Sequence, residues 1–157
     1  MSNFKAAIKS TNEVYEDIFP IANEVIQKVT KEADDIIKKI GRDVENLSKN
    51  ELRNYMIKLS SEVYQISDTK ERASFKQEVA SLLYKEKVAE LFESTEGTQK
   101  AREMSASKNA SGEKMTEMLY EYVSDQLEAK IKRINEVIEN LKSVLISRVS
   151  EDRTFGG

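Results

Sequence analysis

Apolar residues recur along most of this chain at steps of three and four, the spacing that lines one face of an α-helix. In the opening stretch Phe4, Ala7, Ile8, Thr11, Val14, Tyr15 and Ile18 keep this rhythm. Pro20 disfavours a helical conformation at Phe19, so it either opens the next helix or kinks a continuous one. Ala22, Val25, Ile26, Val29, Ala33, Ile36, Ile37 and Ile40 carry the pattern to Gly41, which stands where a left-handed residue commonly ends a helix. Ser48-x-x-Glu51 has the form of a capping box, in which the hydroxyl accepts one orphan N–H and the carboxylate reaches back to another. It predicts a helix with Leu52, Tyr55, Met56, Leu59, Val63 and Ile66 on its apolar face. Asp68-x-x-Glu71 repeats the form and predicts that a helix opens or restarts there, carrying Phe75, Val79, Ala80, Leu83, Tyr84, Val88, Leu91 and Phe92 and ending near residues 94–97.

Residues 95–112 break the pattern. They are small and polar with few large apolar anchors, and they predict a connector or hinge of weak order, with a short helix over 98–106 permitted by its Ala, Gln, Lys, Arg, Glu and Met content. The pattern returns over 113–150, where Tyr120, Leu127, Ile131, Ile134, Ile138, Leu141 and Leu145 alternate at three and four, interrupted only at Ser124. Val123, Val137 and Val144 widen this heptad stripe beyond the needs of a two-stranded zipper, so it predicts a bundle or an oligomeric seam, within one chain or between copies. Residues 151–157 form a tail expected to fray. The layout is one domain of three parts, 1–94, 95–112 and 113–150, with that tail, and the fold class is all-α: a helical bundle with a long C-terminal heptad-bearing helix, expected to form oligomers.

Composition sharpens this picture. Of 157 residues 34% are charged and 39% hydrophobic, and the single Pro and five Gly leave little turn punctuation, which favours long wet-faced helices over sheets. Cys is absent, which excludes disulfides and thiolate metal sites; His is absent, which removes the commonest zinc ligand and the usual general base. No apolar run approaches the roughly 20 residues a membrane span needs, and the start lacks the form of a signal peptide. The expectation is a protein of the cytoplasm, or of the host cytoplasm if phage-encoded, with no membrane partner.

Candidate chemistry is sparse. Asp34-Asp35 and Glu151-Asp152 are adjacent carboxylates, but neighbours in sequence point to different parts of a helix surface, and such pairs are ordinarily solvated. No phosphate-cradling glycine motif is present, and no cofactor, metal site or catalytic residue is expected; the chain reads as non-enzymatic. The basic residues are of more interest. Lys85 and Lys87 flank Glu86 beside Tyr84, while Lys100, Arg102, Lys108 and Lys114 collect in and next to the connector. Folded together they would line a groove for a phosphate backbone, with Tyr84 or Phe92 for base stacking. The plainer alternative is that they are solubilising charges, as charge runs usually are, and the net charge of −3 argues against a large positive field. Lys130, Lys132 and Arg133 carry the same two readings, with Glu128 placed to pair with Lys132.

From residue 84 onward the chain resembles the phage recombination mediator family, the UvsY-like proteins. The resemblance lies in a helix bearing Lys85-x-Lys87, a polar connector, a Tyr-rich start at Tyr120 and Tyr122, and a long helix closing with Ser147-Arg148-Val149 and Arg153-Thr154-Phe155-Gly156. It implies a helical protomer that assembles into a ring-like homo-oligomer, binds single-stranded DNA through basic side chains, and contacts a recombinase and a single-strand-binding protein. Lys85 and Lys87 fall where the family has Lys-x-Arg, so this chain lacks the planar guanidinium at the second place. The expected DNA contacts are Lys85, Lys87, Lys100, Arg102 and Lys108. The alternative is a helical protein-interaction module, an inhibitor, adaptor or scaffold, that never touches nucleic acid.

Overall fold

The computed structural model describes residues 2–155, with side chains described over 13–42 and 44–151. Four helices account for nearly all of them: α1 (Ser2–Asp43), α2 (Lys49–Ser94), α3 (Gln99–Asn109) and α4 (Ser111–Phe155). No strand occurs among the described residues, so the all-α class is as expected. No helix among them is long and apolar enough to cross a membrane.

The elements are longer and fewer than the punctuation suggested. Pro20 lies inside α1 without ending it. It is exposed, as is Glu16 one turn earlier, so the carbonyl that Pro20 cannot bond faces water. Gly41 is helical too, since α1 runs on to Asp43. The left-handed conformation belongs instead to Gly97, at φ 123°, which turns the chain from α2 into α3. Ser48 and Glu51 do form the capping box: the Glu51 N–H donates to Ser48 Oγ at 3.2 Å, and the Ser48 N–H donates to Glu51 Oε2 at 2.7 Å. Hydrogen bonding to the carboxylate from the Ser48 hydroxyl, and then from the Ser48 N–H, holds the Glu51 carboxyl below the usual carboxylate range. Asp68-x-x-Glu71, by contrast, lies within the unbroken α2 and caps nothing. The 95–112 region contains the helix α3, started by Thr98, whose side chain accepts the Ala101 N–H at 3.4 Å. Of the tail, Phe155 closes α4, whereas Gly156 and Gly157 lie outside the described residues.

The chain divides into two compact units, and the divisions fall inside helices rather than at connectors. Unit 1 comprises residues 1–25 and 71–125; unit 2 comprises 26–70 and 126–157. Unit 2 is built on large side chains. Leu52, Leu59 and Ile66 of α2 are fully buried at seven-residue spacing, as are Leu127, Ile134 and Leu141 of α4, and Ile36 and Ile40 of α1 are buried in the same unit. Arg148 fastens the end of this unit: its guanidinium donates to the carbonyls of Leu47, Val44 and Glu45 in the turn between α1 and α2, the last two at 2.9 Å. Lys130 reaches Asp34 at 2.5 Å, and Asp34 also accepts from Thr30 Oγ1 at 3.2 Å, so this carboxylate is structural. Glu128 pairs with Lys70 at 3.3 Å rather than with Lys132.

Unit 1 continues the same spacing with smaller residues. Ala73 and Ala80 take the next two buried places on α2, joined by Ala22, Ala106, Ala110 and Val123. Ser124, the interruption in the α4 pattern, is buried and its hydroxyl lies 2.8 Å from that of Ser74. An alanine-lined interior leaves larger side chains outside, and Phe75, Val79, Leu82 and Leu83 of α2 are exposed.

The α4 seam assigned to oligomerisation is therefore largely occupied within the chain. Leu127, Ile134, Ile138 and Leu141 are buried, and Tyr120, Ile131 and Leu145 are half-buried.

Candidate nucleic-acid interface

All five side chains expected to contact DNA lie in unit 1, on the last turns of α2 and on α3. Their surroundings differ. Lys85 is exposed and lines a shallow cavity of about 360 Å3 together with Tyr84, Val88, Ala89, Phe92 and Glu93 from α2 and Glu103 and Ser107 from α3. Lys87 is engaged with Glu90 of its own helix at 3.3 Å. Lys100 and Lys108 are exposed on α3, with no ion pair among the described residues.

Arg102 has a different task. Its Nε and Nη2 donate to the Phe92 carbonyl at 2.9 and 2.6 Å, and its guanidinium carbon lies 4.2 Å from the centre of the Phe92 ring. That carbonyl belongs to the last turn of α2, where the orphan acceptors and the negative end of the helix dipole both favour a cation. The guanidinium is thus a cap that fastens α3 to the end of α2, and its bidentate fork is already in use.

Lys114 belongs with this group. It donates to Glu117 at 2.7 Å and lies 5.5 Å from the centre of the Tyr84 ring. The hydrogen bond to Glu117 raises the Lys114 pKa above its ordinary value, and the same bond, with help from Ser81 and the nearby Lys85, lowers that of Glu117. Part of the field of Lys85 is thereby met by a carboxylate, which the three-residue step from Lys114 to Glu117 foreshadows. Across residues 85–117 the cations Lys85, Lys87, Lys100, Arg102, Lys108 and Lys114 stand against Glu86, Glu90, Glu93, Glu96, Glu103, Glu113 and Glu117, six against seven. This surface has no net positive charge. What it offers is local: a depression with two aromatic rings, in which one amine stands among the carboxylates of Glu93 and Glu103, and two further amines on α3.

Each ring already has a cation against it, Lys114 at Tyr84 and Arg102 at Phe92. A base stacking there must take the other face or displace the cation. Among the described residues no group of carboxylates is placed to hold a metal ion. Comparison with protein-family models, with curated proteins and with solved structures found no match to this chain.

Proposed function

We propose that this chain is a non-enzymatic accessory protein that holds single-stranded DNA as a homo-oligomer and helps load a recombinase. The observation that supports it is the grouping of Tyr84, Phe92 and Lys85 around one depression. Proteins that hold single strands without regard to sequence combine stacking platforms with amines for the backbone, and here both kinds of group come from residues 84–92 of one helix. With charges balanced six against seven, the grip of one copy is weak, and multiplicity has to supply the rest. Linked weak sites gain on the order of 10² to 10⁴ in avidity without new contacts. The exposed Phe75, Val79, Leu82 and Leu83 give copies a surface on which to meet. The recombinase and single-strand-binding protein enter as partners through the resemblance to the UvsY-like family.

The test is an anisotropy titration with a single-stranded oligonucleotide at low and moderate salt. Binding that weakens with salt and is lost in the double variant Lys85→Glu/Lys87→Glu supports the reading; no binding at low salt ends it.

The exposed α2 face also favours a second reading, a protein-interaction module that presents this face to a partner. Its partner binding would be insensitive to salt and unchanged in the same double variant, and it would be lost in Phe75→Asp/Leu82→Asp.

A further inference from the structure

Unit 2 has a groove of its own, about 740 Å3, between residues 28–39 of α1 and 55–69 of α2. Four lysines line it, Lys28, Lys31 and Lys39 from α1 and Lys58 from α2. Glu32 and Asp35 line it as well, yet none of the four amines makes an ion pair or hydrogen bond with a described residue. Lys28 and Lys39 are eleven residues apart, about 16 Å along the helix, a reach that covers more than one phosphate group.

Facing this row from α2 is Glu62. The residue is only 6% exposed, and its carboxylate has neither a hydrogen-bond donor nor a cation among the described residues. Among the described residues no side-chain oxygen is both sealed from water and unbonded, so the Glu62 carboxylate still meets the groove's solvent and its oxygens are open to the N–H groups of a ligand. Its burial, and secondarily the charge of Glu32, push the Glu62 carboxyl above the usual carboxylate range. Tyr55 lines the groove two helical turns before Glu62, about 10 Å along α2, and supplies a ring.

Anionic oxygens for the amines, N–H donors for the carboxylate and a flat apolar body for the ring describe one chemical class. We propose that this groove binds a nucleotide, with its phosphates on the lysines and its base edge on Glu62. Guanine presents two adjacent N–H donors on its pairing edge, matching the two oxygens of a carboxylate; thymine presents one N–H between two carbonyls, which repel it. The site therefore favours guanine. The same chemistry is offered by a free nucleotide and by a guanine within a strand, and the inference does not rest on the strand surface of unit 1.

The experiment is calorimetric titration of the full chain at low salt with dGTP, dTTP, inorganic tripolyphosphate and short oligomers of dG and dT. The expected result is dGTP, or the dG oligomer, binding about tenfold more tightly than its thymine counterpart. Glu62→Gln should abolish that preference while leaving the thymine ligand unchanged; it is close in volume and removes a buried charge, so the fold is retained. Lys28→Glu/Lys39→Glu should weaken every phosphate ligand about tenfold. Guanine preference with dGTP assigns the site to free nucleotides, and preference seen only with the oligomers assigns it to a strand; both sustain the proposal. Tripolyphosphate binding as tightly as dGTP with no effect of Glu62→Gln overturns it, as does the absence of any binding. Lys85→Glu/Lys87→Glu should leave this preference intact, which separates its failure from failure of the strand surface in unit 1.

Discussion

Ile134→Ala separates a seam that holds one chain together from a seam that joins several. Ile134 has no exposed surface, and truncation to Ala removes three carbons from it. At about 0.8 kcal/mol for each, the transfer loss is about 2.4 kcal/mol, and the cavity left behind brings the cost to about 2–5 kcal/mol. With a urea m-value of about 2 kcal/mol per molar, the unfolding midpoint falls by roughly 1–2.5 M. The measurement is urea unfolding followed by far-ultraviolet circular dichroism at several protein concentrations, with light scattering on the same samples. Because the burial is within the chain, the shift should not depend on concentration and the native particle mass should stay unchanged. Ile146→Ala, at a position 66% exposed, is the control and should stay within about 0.5 kcal/mol of the parent. A smaller particle with an unchanged midpoint would refute the reasoning, since it would mean that Ile134 joins copies.

Three further outcomes follow from named contacts. Ser48→Ala removes the acceptor for the Glu51 N–H and should cost about 1 kcal/mol, read as a lower Tm. Arg148→Met frees the carbonyls of Val44, Glu45 and Leu47 and should cost about 1–3 kcal/mol in the same assay. Glu62→Gln should raise stability at neutral pH, because a neutral amide loses less hydration on partial burial than a carboxylate does. The pH dependence has a definite sign: the folded pKa is raised above the ordinary 4.5, so the native state binds the proton more readily than the unfolded chain. The parent's deficit relative to Gln should therefore shrink as pH falls from the folded value toward 4.5 and reappear as pH rises; a deficit unchanged across that window would count against the burial argument.

Helical class and apolar faces were legible because periodicity reports burial directly. Ser48-x-x-Glu51 was legible as a cap because it stands where the apolar pattern resumes after a gap, with Leu52 next. Asp68-x-x-Glu71 has the same letters but follows Ile66 without interruption, and a hydrophobic face continuous across it overrides the local signal. Pro20 and Gly41 misled for a related reason, since each breaks a helix only if packing on either side does not compensate. Whether the α4 stripe served its own chain or copies was illegible, because a stripe states width and not its neighbour. At the candidate interface, lysines could be counted from the sequence, but the capture of Arg102 by the Phe92 carbonyl depends on Gly97 turning α3 back toward the end of α2. The Lys28 to Lys58 groove escaped notice because its lysines alternate with acids and look like an ordinary solvated helix face.

The change from leucine and isoleucine at 52, 59 and 66 to alanine at 73 and 80 has a thermodynamic consequence. Each alanine contributes far less burial energy than the residue one heptad before it, so the half of α2 that leads to Tyr84 and Phe92 opens at lower local cost than the half that carries Leu59. Native-state amide exchange should register this as a gradient along a single helix, slow through the fifties and faster beyond residue 73. A surface that yields cheaply can remould itself around a flexible polymer, while the stiff end preserves the molecule's identity as it does so.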